Sequence, residues 1–260
     1  MRSFKYLGVV ISQGFHFIDH VRSAALRGKF VLHRVASLSG RGWGLDYKTR
    51  VLLYKVLVVP LLVYGCEMWC SRLRMRERDI LRSAQRLSLI YVSRAYRTAG
   101  YAALTAVTGL PPIDMVASMR RAAFLAKSQE DGPSKKVLLE RLITEWQAWW
   151  DGCERGRHTY QLLPSIPIRL GIKISLDHYV TQVLTGHGDF NFRLHSLGCV
   201  PSPLCRFCGQ SDTVQHTVLA CPVLHPVPVA PTLSPLTCLA DFDQLRDWAH
   251  FALRRKEGLR

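Results

Sequence analysis

The sequence predicts a mainly α-helical protein with a short β-strand at its N-terminus and a small metal-stabilised module near its C-terminus. Three observations carry this. Apolar residues recur at helical intervals through most of the chain. The segment "FKYLGVVIS" (4–12) is rich in Tyr, Val and Ile. The segment "CRFCGQSDTVQHTVLAC" (205–221) spaces three cysteines and a histidine as C-x2-C-x7-H-x4-C.

Phe4 to Ser12, followed by Gly14, reads as one strand. So near the start, its only early partner is the next few residues, which suggests a chain that begins partway through a larger fold. From Asp19 the pattern turns helical, with Val21, Ala25, Phe30, Val31 and Val35 at helix-like intervals and "SGRGWG" at its end. Asp46 is placed to cap the next helix, which carries an apolar run to Pro60 and is expected to kink there. The stretch 51–64 is too short for a membrane span and contains Lys55 and Pro60, so it reads as a buried core helix.

The helix from Arg74 to Arg97 carries two faces. At about 100° per residue, Arg74, Arg78, Arg82, Arg86 and Arg97 gather on one side, and Ile80, Ala84, Leu87 and Tyr91 on the other. The arginine side is either a solvated basic face or a phosphate-contacting one. "TGLPPIDM" (108–115) is a loop that opens a helix bearing Arg120 and Arg121, and "DGPSKK" (131–136) ends it. The next helix holds Leu139, Leu142, Trp146, Trp149 and Trp150, a stripe that reads as core rather than as a base-stacking platform. "LLPSIPI" reads as extended, and a short helix over 176–184 ends in "TGHGDF". A Pro-rich tether, "PVLHPVPVAPTLSP", leads to a last helix over 241–255 and a basic tail.

Lysine and arginine number 35 against 19 acidic residues, a net charge of +16 that favours polyanions, nucleic acid first. No secretory signal is visible at the N-terminus. Eight cysteines in such a chain are expected as thiols or metal ligands in a reducing compartment, nucleus or cytoplasm. Cys205, Cys208, His216 and Cys221 match the Cys/His preference of zinc, and Gly209 can take the positive φ that a Cys-x2-Cys turn needs. Four protein ligands leave no open position, so the zinc would be structural. Cys199 and His225 lie close by as substitute ligands, whereas His178, His187 and His195 read as ordinary hydrogen-bonding residues.

The segments "FKYLGVVIS", "RVLLYKVLVVPLLVYGCEMW", "TYQLLPSI", "LTGHGDFNFRL" and the cysteine–histidine motif occur in an order that resembles the C-terminal part of the reverse transcriptase (Pol) protein of non-LTR, LINE-type retrotransposons. The resemblance is to the insect-type elements, some of which insert into ribosomal RNA genes. It implies a palm-end, primer-grip strand over 1–16, with Lys5, Tyr6 and Gly8 on that motif. It further implies a helical thumb-like region over 17–131, a helical linker over 132–198, a CCHC zinc knuckle over 199–225, and a tether with C-terminal helix over 226–260. Template RNA and primer or target DNA are the implied partners, with no membrane. Arg74, Arg78, Arg82 and Arg86 are the expected backbone contacts, with Lys173 and Arg206 as further ones.

The departures bear on catalysis. Two-metal phosphoryl transfer needs paired carboxylates, and the sequence has no Asp-Asp pair and no Tyr-x-Asp-Asp. No catalytic residue is therefore assigned, and magnesium is expected only in the intact parent polymerase. The chain is expected to bind nucleic acid without extending a primer. Two other readings stay open: a nuclease built on Asp241, Asp243 and Asp247, whose plainer role is helix N-terminal charge, and a domesticated adaptor whose zinc module binds protein.

Overall fold

The protein is described by a computed structural model covering residues 3–37, 44–129, 131–225 and 233–259. Two strands, β1 (Ser3–Tyr6) and β2 (Val9–Ser12), precede the helices. In chain order these are α1 (Ile18–Ala36), α2 (Tyr47–Leu53), α3 (Val59–Leu62), α4 (Cys66–Trp69), α5 (Met75–Ser93), α6 (Tyr101–Thr108) and α7 (Ile113–Ala126). They continue with α8 (Lys135–Asp151), α9 (Arg157–Leu162), α10 (Ile166–Gly171), α11 (His178–Thr185), α12 (Asn191–Ser196) and α13 (Leu239–Gly258). The mainly helical expectation holds. The residues group into two compact units, one of 1–92 with 110–152, the other of 93–109 with 153–260. Most of "SGRGWG" and half of the Pro-rich tether lie outside the described residues.

In the first unit, the segment expected as one strand is a hairpin. Leu7 and Gly8 both adopt positive φ, +45° and +84°, the backbone of a tight two-residue turn, and β1 pairs antiparallel with β2. β1 is exposed throughout, whereas β2 buries Val9, Ile11 and Ser12. A Cβ at Gly8 would stand 3.1 Å from the Tyr64 ring, whose hydroxyl donates to the Leu7 carbonyl at 2.8 Å.

α1 packs against α3, and Gly28 allows the approach: a Cβ there would meet Leu62 at 2.9 Å. Its buried stripe runs through Val21, Ala25, Leu32 and Val35, while Phe30, part of the apolar pattern, is exposed. Asp46 caps α2, accepting from the Thr49 amide at 3.0 Å. The kink expected at Pro60 is a π-helical stretch over Tyr54–Val58, in which the Val59 amide bonds to the Tyr54 carbonyl five residues back. Widening the helix here shifts the hydrogen-bond register just before the residue that cannot donate.

α5 buries Leu81, Ala84, Gln85, Ser88, Leu89 and Val92. The core face is therefore rotated from the expected one, and Leu87 is exposed. A polar residue shifts the phase: Gln85 donates to the Tyr54 hydroxyl and the Pro111 carbonyl and accepts from the Ile113 amide. With those bonds made, burial of an amide is tolerated. α7 packs on α8, whose buried stripe is Leu138, Leu142, Trp146 and Trp150. The tryptophan stripe is core, as expected, although Leu139 points outward.

In the second unit, α11 packs against α6, α9 and α13. "LLPSIPI" is not extended: Ser165 caps α10, and Pro167 sits in its first turn, where its missing N–H has no helical partner to lose. Buried Arg169 donates to the Val107 carbonyl near the C-terminal end of α6 at 2.6 and 3.1 Å, and to the Ile172 carbonyl. A cation there complements the negative helix end. Asp177 caps α11 by accepting from the Tyr179 and Val180 amides. Among the described residues no single helix is long and apolar enough to cross a membrane.

Candidate metal centre

The loop from Cys205 to Gly209 closes on itself. The Gly209 amide donates to the Cys205 carbonyl at 2.8 Å, and the Cys205 amide to the Gln210 carbonyl at 2.6 Å. Gly209 has φ +75°, the conformation expected of it. This turn aims Cys205 and Cys208 to one side. His216 and Cys221 come from a second piece, a π-helical turn over His216–Ala220 closed by the Cys221 amide on the His216 carbonyl at 2.8 Å. In an α-helix, residues five apart point about 140° away from each other. The wider turn brings them round to the same side.

Cys205, Cys208, His216 and Cys221 thus place their ligand atoms within 4.8 Å of one another. Cys205 Sγ lies 4.0 Å from Cys221 Sγ, Cys208 Sγ 3.9 Å from Cys221 Sγ, and Cys208 Sγ 3.2 Å from His216 Nε2. A tetrahedron with metal–sulfur bonds of about 2.3 Å has sulfur–sulfur edges of about 3.8 Å. The cluster fits a metal in size as well as in donor type. Burial pushes the Cys208 thiol up to about 11, with the Cys205 and Cys221 sulfurs adding to the rise. Burial lowers the His216 pKa, which favours the neutral imidazole a metal needs. His225 does not join this set: its ring stacks on Phe251, with centroids 5.1 Å apart.

What anchors the motif is not legible in its spacing. Asp212, in the loop between Cys208 and His216, is fully buried. Its carboxylate accepts from the Thr217 hydroxyl at 2.6 Å, the Asn191 amide at 2.8 Å and Lys256 Nζ at 2.8 and 3.0 Å. Lys256, on α13, is itself 2% exposed and donates to the Asp189 carbonyl as well. The last helix is therefore ion-paired to the metal loop.

The expected nucleic-acid contacts are spread over both units. Lys5 and Tyr6 are exposed on β1, and Gly8 forms the turn. Arg74, just ahead of α5, and Arg78, on it, are exposed, and Arg78 lies 4.0 Å from the Asp114 carboxylate. Arg82 grips Asp114 bidentately along one edge of its guanidinium, at 2.7 and 3.0 Å, and stacks 5.2 Å over Trp149. Arg86 is half-buried. In the second unit, Lys173 is exposed, and Arg206 donates to the Lys256 carbonyl while lying 4.8 Å over the Phe207 ring. Asp241 is engaged as a cap: hydrogen bonds from Thr237 and Cys238 pull it down to about 2. Asp243 and Asp247 pair with Arg246. Asp241 thus takes the helix-end role expected of it, whereas Asp243 and Asp247 lie further along α13. His178 and His187 make hydrogen bonds, to the Arg94 carbonyl and the Thr98 hydroxyl.

No protein-family model matches the chain, and no solved structure is significantly similar to it. Curated relatives do match. A retrovirus-related Pol polyprotein from type-1 retrotransposable element R1 4 of Nasonia vitripennis is 30% identical over 240 residues, covering 85% of this chain and 60% of that protein. The Pol polyprotein of element R1 of Bradysia coprophila is 30% identical over 245 residues, 84% of this chain and 24% of that protein. The 115 kDa protein in element R1DM of Drosophila melanogaster is 27% identical over 243 residues, 86% of this chain and 24% of that protein. The chain thus spans from about a quarter to three-fifths of the length of these three relatives.

Proposed function

From its homology to R1 retrotransposon Pol polyproteins over most of its length, we propose that this chain is a nucleic-acid-gripping region of an RNA-directed DNA polymerase. The homology is the observation that carries the reading. In this role it holds template RNA and primer DNA during target-primed reverse transcription and leaves the catalytic carboxylates to other parts of the polymerase. Arg74 and Arg78, with Arg86 beside them, supply phosphate contacts from the first unit; Lys173 and Arg206 do so from the second. Lys5, Tyr6 and Gly8 belong to the hairpin that meets the primer end. Zinc fills the Cys205, Cys208, His216 and Cys221 cluster as a structural ion, forming a CCHC knuckle.

The test is titration of a labelled RNA–DNA template–primer with the purified chain at several salt concentrations. Affinity is expected to fall steeply with salt, as phosphate-dominated binding does. Salt-insensitive binding would favour a protein-binding adaptor, and magnesium-dependent primer extension by the chain alone would overturn the division of labour. For the metal, about one equivalent of zinc per chain is expected, with Cys208→Ala abolishing it.

A further inference from the structure

At the start of α5, a cleft of about 390 Å³ opens in the first unit, within the size range of ligand pockets. Phe15, His16, Trp69, Arg72, Arg74 and Glu77 line it. Glu77 is 8% exposed, and its Oε2 is buried with no hydrogen-bond donor among the described residues. A glutamate at the third position of a helix ordinarily reaches back to the amide ahead of the helix. This one lines the cleft with an acceptor unused. Burial of an unpaired carboxylate oxygen is unfavourable, so the site is incomplete without a donor from outside.

The rest of the lining says what carries that donor. Arg72 and Arg74 put two cations on the cleft, and the Arg72 guanidinium lies 5.7 Å from the Phe15 ring centre. Phe15 is 64% exposed and held at φ +55°, an uncommon conformation for a bulky residue. The first amides of α5 add an anion-favouring helix end. A ligand that satisfies all of these has an anionic end, a flat body and N–H donors at the far side, which describes a nucleotide with an unpaired base. A glutamate carboxylate offers two acceptor oxygens side by side. Guanine sets N1–H and an N2 amino hydrogen side by side on its pairing edge. Adenine and cytosine set an acceptor beside their amino group, and uracil flanks one N–H with two carbonyls.

We propose that this cleft takes one unpaired guanine nucleotide of a bound nucleic acid strand and that Glu77 reads its base. The inference rests on the reading of the chain as a nucleic-acid binder. The probes are the RNA pentanucleotides UUGUU, UUAUU, UUCUU and UUUUU and their DNA counterparts, titrated calorimetrically into the full chain. UUGUU or its DNA counterpart is expected to bind about tenfold tighter than the rest, in line with discrimination by one two-point base contact. The RNA and DNA arms tell which sugar is preferred. Glu77→Gln should remove the guanine preference. Phe15→Ala, at an exposed position, should weaken all pentanucleotides alike and so reports on the cleft even if the buried variant misfolds. Equal affinity for the four bases, or an undiminished preference in Glu77→Gln, overturns the proposal. Template–primer binding by the same preparation separates the two failures: duplex bound without base preference removes the guanine site alone, whereas no nucleic acid bound removes the broader reading with it.

Discussion

Lys256 and Asp212 show what a single residue can do that no motif announces. Both are almost wholly buried, and the ammonium satisfies a carboxylate that also holds Thr217 and the Asn191 amide. Lys256→Met would leave Asp212 charged and without its cation. Loss of one partner of such a pair costs about 3–5 kcal/mol, so the variant should unfold at clearly lower denaturant. The double variant Lys256→Met with Asp212→Leu should recover much of that loss, because an apolar pair needs no desolvation repaid. The ligands themselves were legible, since Cys205, Cys208, His216 and Cys221 are close in sequence and their spacing encodes the chemistry. Lys256 was not, since 44 positions separate it from its partner and it reads as part of a basic tail. The cluster also predicts a pH response. In the metal-free protein the Cys208 thiol lies raised to about 11, so protons compete with the metal for sulfur. Metal retention should strengthen as pH rises and be lost on acidification, which a chromophoric zinc chelator would record.

At the scale of elements, local signals were readable and relative phases were not. Asp46 starts a helix because its carboxylate meets a free amide, a bond made within a few residues. Gly209 turns where a side chain would resist. The hairpin was missed because Leu7 adopts a positive φ that its side chain does not advertise. α10 was missed because Pro167 reads as a breaker yet suits a first helical turn. The α5 core face was misphased because a buried Gln85, invisible to a hydrophobic pattern, sits in it. The break between α3 and α4 offers a test at this scale. Gly65 has φ +65°, and a Cβ there would stand 2.8 Å from Val9 on β2. Gly65→Ala should lose about 1–2 kcal/mol from the left-handed backbone alone, with the clash against β2 adding to it. Thermal unfolding should show the loss, and Gly171→Ala, where a Cβ meets nothing, should not.

At the scale of the whole molecule, the excess of positive charge bears on partners and not on the fold. Composition alone cannot say which cations are available to a polyanion, because a guanidinium already bound to a carboxylate is spent. α5 and the residue ahead of it carry both kinds. Arg74, just before the helix, is exposed, and exposed Arg78 reaches Asp114 only at 4.0 Å, while Arg82 is locked to buried Asp114 at 2.7 Å and stacked on Trp149. Their substitutions should therefore separate. Arg74→Ala and Arg78→Ala should each lower the salt dependence of template–primer binding by about one unit of slope, as loss of one phosphate contact does, with the unfolding transition unmoved in the first and shifted only slightly in the second, whose contact with Asp114 is 4.0 Å long and half-exposed. Arg82→Ala should instead leave Asp114 short of its bidentate partner and cost about 1–3 kcal/mol of stability. Its salt slope should stay that of the parent. Binding titrations at four salt concentrations, paired with denaturation of each variant, read both quantities. If Arg82→Ala changes the slope and keeps the stability, the guanidinium leaves Asp114 for phosphate when nucleic acid binds, and the basic face of α5 is longer than its resting contacts indicate.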